Sequence, residues 1–213
     1  MLFHKIILFI LLNIVDSFNV CIVGANGGLG RELVYQSIKD YNYQVLGLTS
    51  RPQYIFEPFR GNGFEETADT LYFKSDKLLL ENYWKHIIFD YEHIIFCTGS
   101  QPFENDYSDK LTEKFISNLS DNCKSISLVS AYGVNEKIKF SNIGVKILEK
   151  FFLTDSYRAK SKQEELILSL KKDVKKYIYK PKALSYGFTY LESTTRQELA
   201  EEILDNIYRY FYL

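Results

Sequence analysis

Short apolar runs alternate with apolar-periodic stretches along the whole chain. Val20 to Val23 forms a continuous apolar run and predicts a first strand; Leu29, Leu33, Val34 and Ile38 then share one helical face, which predicts a helix over Gly28 to Lys39. "YQVLGLTS" (Tyr43 to Ser50) predicts a second strand and "TLYFK" (Thr70 to Lys74) a short third. Between them, "RPQYIFEPFRGNGFEETAD" follows neither period and reads as a loop. "HIIFCTG" (His93 to Gly99) and "SISLVSAYG" (Ser125 to Gly133) predict the fourth and fifth strands, apolar enough to be covered on both faces. A helix over Ser156 to Leu170 precedes a sixth strand in "KKYIYKPKAL", and "TTRQELAEEILDNIYRYF" predicts a closing helix capped by Thr194 or Thr195. Strand and helix in alternation predict an α/β fold with a doubly wound, mainly parallel sheet.

Composition narrows the partners rather than the fold. With 213 residues, 46% of them hydrophobic, the chain can bury one substantial core and leaves no room for a second large domain. A formal net charge of −1 gives no global attraction to nucleic acid or to an anionic membrane. Cys21, Cys97 and Cys123, and His4, His86 and His93, have no metal-ligand spacing, so no metal is expected. Cys21 and Cys97 lie inside apolar runs and read as small buried hydrophobes. Ser156 to Lys182 carries nine Lys or Arg against three Asp or Glu, and is expected to be a solvated face.

The first residues differ from the rest. In "MLFHKIILFILLNIVDSF", Lys5 precedes an apolar run, Ile6 to Val15, that is short for a membrane span but suits a signal-peptide core. Val15 and Ser17 fit cleavage before Phe18, which divides the chain into a leader over 1–17 and a domain over 18–213. The other reading of this stretch is an extra element packed on the domain. A cleaved leader implies secretory-pathway or organelle targeting, including a plastid signal with Phe at its start; an uncleaved one is the chain's membrane contact; without it the protein is cytoplasmic.

"NVCIVGANGGLGREL" carries the candidate chemistry. Gly24, Gly27 and Gly30 are spaced GxxGxxG between a predicted strand and a predicted helix. A phosphate is attracted to the free N–H groups and partial positive charge of a helix N-terminus, and a Cβ on the loop would hold it away. The same glycines could merely join a strand to a helix, but their context favours a dinucleotide cradle. An NAD site usually has an acid at the end of the second strand; "LTSRP" offers Ser50 and Arg51 instead, which would meet a 2′-phosphate. NADP(H) is therefore the expected cofactor, with Arg31 able to assist from the helix start.

"GANGGLGRELV", "GLTSRP", "IIFCTGS", "SLVSAYGV", "YRAKSKQEEL", "YKPKALSYG" and "TTRQELAEEIL" stand in the order found in atypical short-chain dehydrogenase/reductases. The sequence resembles the NmrA-like and flavin/biliverdin-IXβ-reductase-like members over about Asn19 to Ile207. That resemblance implies a Rossmann-type fold in a single domain with a minimal substrate region. It implies that Gly24, Ala25, Asn26, Gly27, Leu29 and Gly30 line the pyrophosphate and that Ser50 and Arg51 hold the 2′-phosphate. Asp76 matches an acid that contacts adenine, or else caps the helix beginning at "KLLLENYW"; Thr98, Gly99 and Ser100 match the loop under the riboses.

On the catalytic side the resemblance implies Ser130 at the substrate and Lys160 at the nicotinamide ribose. Conventional members pair a Tyr and a Lys as YxxxK, the cation lowering the phenol pKa for proton transfer. Here Tyr157 and Lys160 are spaced YxxK, which still shares a helical face, while Ser156 occupies the usual tyrosine position. Tyr157 is thus either the proton donor or no part of the chemistry. The usual "RP" after the sixth strand is "KP", Lys180 and Pro181, which keeps the charge and loses the planar fork. Only six residues separate Gly187 from Thr194, too few for the lobe with which relatives bind nucleotide sugars.

The sequence therefore predicts an NADPH-dependent reductase of a small carbonyl, quinone or flavin-like acceptor. The alternative is a non-catalytic NADP-binding regulatory or assembly protein that meets a protein partner.

Overall fold

The computed structural model describes residues 18–49, 69–72, 91–99, 108–135, 154–181, 184–185 and 194–212. The leader (1–17) and the candidate site residues Ser50, Arg51, Asp76 and Ser100 lie outside the described residues.

Six strands, β1 (Asn19–Val23), β2 (Gln44–Thr49), β3 (Asp69–Tyr72), β4 (His93–Phe96), β5 (Ser125–Val129) and β6 (Lys175–Tyr179), form one sheet in the order β3-β2-β1-β4-β5-β6. Every pairing is parallel. Parallel neighbours require crossovers. Helix α1 (Gly28–Lys39) links β1 to β2, α2 (Ser108–Ser117) lies between β4 and β5, α3 (Thr154–Ser169) lies between β5 and β6, and α4 (Arg196–Tyr212) closes the chain. Two short strands, β7 (Leu184–Ser185) and β8 (Thr194–Thr195), pair in parallel ahead of α4.

Successive side chains of a strand point to opposite faces, and here both faces are covered. Val20 and Ile22 of β1 join Leu33, Val34, Ile203 and Ile207 in one apolar layer with α1 and α4. Cys21 and Val23 of the same strand join Ile94, Phe96, Phe115, Ile126 and Ile167 in the other layer, with α2 and α3. Cys21 is fully buried and Cys123 nearly so, while Cys97 is partly buried. Helix α4 starts with a reciprocal cap: Glu198 N–H donates to Thr195 Oγ1 (3.1 Å) and Thr195 N–H donates to Glu198 Oε2 (2.9 Å).

The strands end earlier than their apolar runs. β4 stops at Phe96, β5 at Val129 and β6 at Tyr179, so Cys97 to Gly99 and Ser130 to Gly133 leave the ladder as loops at the carboxyl edge. Helix α2 has no counterpart in the sequence expectations. Its buried face is Ser108, Leu111, Thr112 and Phe115, a helical spacing half made of hydroxyls. The Thr112 hydroxyl is served from both sides: its Oγ1 donates to the Ser108 carbonyl (2.9 Å) and accepts from Gln163 Nε2 of α3 (2.7 Å).

Candidate functional site

The strand order reverses direction between β1 and β4, where the chain winds outward on both sides. In such sheets a crevice opens outside the carboxyl ends of the strands at this point. The glycine turn sits on one side of it. Gly24 has φ +94°, a conformation side chains avoid, and a Cβ on it would lie 3.0 Å from Thr98 N and 3.1 Å from the Cys97 carbonyl carbon. The end of β4 thus abuts the turn that follows β1. A Cβ at Gly30 would stand 2.2 Å from the Gly24 carbonyl oxygen, so the turn and the first turn of α1 can close only over glycine.

Helix α1 opens at Gly27 with no side-chain cap, and no acidic residue occupies its first turn. Arg31 N–H makes the first bond of the helix, to the Gly27 carbonyl (2.9 Å), so the N–H groups of Gly28, Leu29 and Gly30 precede the intrahelical ladder. An uncapped N-terminus without local negative charge suits an anionic ligand. Leu29 enters only through its backbone, because its side chain is in the core. Ala25 is fully buried, and its N–H, like that of Gly24, donates to the Leu48 carbonyl (3.0 and 2.9 Å). Those two residues therefore shape the turn by tying it to β2. Arg31 Nε donates to the Asn26 carbonyl (3.1 Å) and lies 3.3 Å from its Oδ1, holding the turn against the helix.

Across the crevice, Lys160 of α3 is nearly buried, and its ammonium donates to the carbonyls of Thr98 and Val129, the latter at 2.9 Å. It clamps the ends of β4 and β5 together. Thr98 Oγ1 is buried with no hydrogen-bond partner among the described residues, whereas Gly99 is exposed. The Cys97 thiol donates to the Val23 carbonyl (3.2 Å), and burial pushes it up to about 12, which leaves it unreactive at neutral pH.

Tyr157 and Lys160 share α3 but are sent to different carbonyls, since the Tyr157 hydroxyl donates to the Tyr132 carbonyl (2.9 Å). Ser130 follows β5 directly, and its Oγ donates to Glu164 Oε1 at 2.5 Å. Glu164, also on α3, is 2% exposed. Its Oε2 accepts from Asn135 Nδ2 (3.0 Å) and pairs with Lys180 Nζ (3.1 Å). Lys180, the lysine of the "KP" dipeptide, brings its point charge here, and it also donates to the Val134 carbonyl (2.8 Å). The basic segment is thus not a purely solvated face: Lys160 and Lys180 turn inward, and Lys172 pairs with Asp121 (2.7 Å).

Glu164 was absent from the residues that sequence reasoning singled out. The available signal was helical spacing: Lys160 and Glu164 are four apart, on a face whose neighbours Ala159, Gln163 and Ile167 are buried. A carboxylate on a buried face requires a cation, and Lys180 is that cation.

No family model matches the chain, and no curated protein matches it in sequence. Solved structures do match in three dimensions. An anaerobilin reductase from Escherichia coli O157:H7 superposes with a TM-score of 0.61 at 13% identity, over 89% of this chain and 90% of its own. A short-chain dehydrogenase/reductase from Veillonella parvula, solved with NADP, gives 0.62 at 11% identity, over 90% and 87%. A UDP-N-acetylglucosamine 4-epimerase from Bacillus cereus gives 0.55 at 19% identity, over 88% of this chain but 72% of its own. The chain has the Rossmann-type α/β fold that these structures share, one of them a short-chain dehydrogenase/reductase with NADP bound.

Proposed function

We propose that the protein binds NADP(H) and acts as an NADPH-dependent reductase of a small carbonyl, quinone or flavin-like acceptor. The observation that carries this reading is the uncapped, acid-free N-terminus of α1, reached through a glycine turn at the reversal of strand order. In this reading the N–H groups of Gly28, Leu29 and Gly30 hold the pyrophosphate. Ser50 and Arg51 hold the 2′-phosphate, in a sequence with no acid there to favour a ribose hydroxyl. Bound NADPH would supply hydride, and the protein supplies orientation and electrostatics.

Lys160 fixes the spacing of the β4 and β5 ends and places a positive charge beneath the crevice. Ser130 stands at the acceptor side. The titration that tests the cofactor reading compares NADPH with NADH on the purified protein and on Arg51→Ala. Preference for NADPH, lost in the variant, is expected; binding of neither dinucleotide would reduce the glycines to a connecting turn. Turnover is tested by Lys160→Ala, which should abolish NADPH oxidation in an acceptor screen.

One observation favours the second reading, a non-catalytic NADP-binding regulatory or assembly protein. The hydroxyl of Tyr157 is engaged by the Tyr132 carbonyl, so Tyr157 is not set beside Lys160 as proton donor in the conventional way. Under that reading Gly27→Trp abolishes capture of a protein partner, and no acceptor supports NADPH oxidation.

A further inference from the structure

Glu164 is a buried carboxylate with no part in the reaction just described, yet it touches a residue that has one. Each of its oxygens has a distinct set of partners. Oε2 receives Asn135 Nδ2 (3.0 Å) and Lys180 Nζ (3.1 Å), and Oε1 receives the hydroxyl of Ser130 at 2.5 Å. The partners are themselves fixed, since Lys180 also donates to the Val134 carbonyl (2.8 Å) and Asn135 Oδ1 accepts from Ser161 Oγ (2.6 Å). A carboxylate only accepts hydrogen bonds, and a serine hydroxyl has one proton and two lone pairs. With its proton directed to Glu164 in a short, charge-assisted bond, Ser130 has only lone pairs for any other neighbour. A serine that polarises a carbonyl has to donate, and this one is set to accept.

We propose that Glu164 is a positioning residue that fixes Ser130 as a hydrogen-bond acceptor. The site thereby favours substrates carrying an N–H or O–H within two bonds of the reducible carbonyl carbon over those presenting carbonyl oxygens alone. The proposal rests on the reductase reading and narrows its substrate class. It also makes a specific statement about Glu164→Gln. Lys180 and Asn135 both donate at the Oε2 position, so the amide oxygen of the glutamine belongs there and its NH2 faces Ser130. Ser130 then accepts from residue 164, and its own proton is released to point elsewhere.

The test uses the full chain loaded with NADP⁺ and two probes, isatin and N-methylisatin. Both present the same pair of carbonyls, and only isatin carries a ring N–H beside them. Equilibrium binding, together with kcat/KM for each probe with NADPH, should favour isatin by about tenfold in the natural protein, as one hydrogen bond implies. The ratio should fall to about one in Glu164→Gln while binding of N-methylisatin is retained. Ser130→Ala, which keeps the Glu164–Lys180 pair, should also bring the ratio to about one. A purely structural Glu164 would weaken both probes together and leave the ratio unchanged, and that result overturns the proposal. Equal affinities in the natural protein, or binding of neither probe by protein that holds NADP⁺, overturn it while the cofactor reading stands. Failure to bind NADP⁺ would overturn the cofactor reading, and this proposal with it.

Discussion

The two sides of the crevice are built from different materials. On the β1 side the turn is shaped by backbone, with Arg31 on Asn26 as a side-chain brace: a glycine at φ +94°, a carbonyl against the space where Gly30 would carry a Cβ, and N–H groups at a helix start. On the β5 side the framework is made of side chains, with Lys160 on two carbonyls and Glu164 collecting Ser130, Asn135 and Lys180. A backbone turn tolerates no added carbon at Gly24 or Gly30, and it asks of distant residues only their main chain, as at Leu48 and Thr98. A side-chain network tolerates local change and fails when one distant partner is lost. In the proposed reductase the first would hold the phosphates of the dinucleotide, while the second would discriminate among acceptors.

Substitutions that strike one side and spare the other sharpen this contrast. The largest effect is expected from Gly30→Ala, whose Cβ would sit 2.2 Å from a backbone oxygen that cannot move without opening the turn. It should cost about 3 kcal/mol or more in urea unfolding and abolish dinucleotide binding in the folded fraction. Glu164→Leu strikes the other side. Removing one member of a buried pair costs about 3 kcal/mol, but dinucleotide affinity by calorimetry should stay within a factor of two or so of the natural protein. Loss of cofactor affinity in Glu164→Leu would show that the two sides are one unit.

A third expectation concerns the opposite, amino-terminal edge of the sheet. His93 opens β4, fully buried, with Nδ1 2.7 Å from Ser125 Oγ and its ring edge-on to Phe18. Burial, aided by the charge of Lys124, lowers its pKa from 6.5 to about 3. The folded state therefore keeps His93 neutral while the unfolded chain takes up a proton below 6.5, so stability is complete above that pH and declines as pH falls toward 3. Unfolding free energy should drop by about 2 kcal/mol between pH 7 and pH 5 from this group, and His93→Leu should flatten the profile. The smallest effect is at the α4 cap. Thr195→Ala removes one arm of the reciprocal pair with Glu198 and should cost about 1 kcal/mol in thermal unfolding, leaving both sides of the crevice unaffected.

Much of the fold was legible because its signals are local. The first helix, Gly28 to Lys39, and the central strands follow from spacing within a dozen residues, and the cap at Thr195 needs only four. Helix α2 was not legible, because half its buried face is hydroxyl and the partner of the Thr112 hydroxyl, Gln163, stands 51 residues away. Strand ends were overextended for a related reason. Val129 to Gly133 continues the apolar pattern, but the ladder ends with the Ser130 N–H on the Tyr179 carbonyl, and the Ser130 side chain turns to Glu164.

Sequence alone determined the glycine turn between β1 and α1 and the wound sheet, since a turn that excludes Cβ and a strand covered on both faces each leave a mark within their own residues. Tertiary structure alone decided what the polar side chains do: that Lys160 clamps two strand ends, that Tyr157 turns to the Tyr132 carbonyl, and that Glu164 governs the proton of Ser130. These are choices among partners 16 to 62 positions apart in the chain, as Lys180 to Glu164 and Lys160 to Thr98 show. A charged or hydroxyl side chain has many acceptable partners, and only the packed sheet brings one of them within hydrogen-bonding distance.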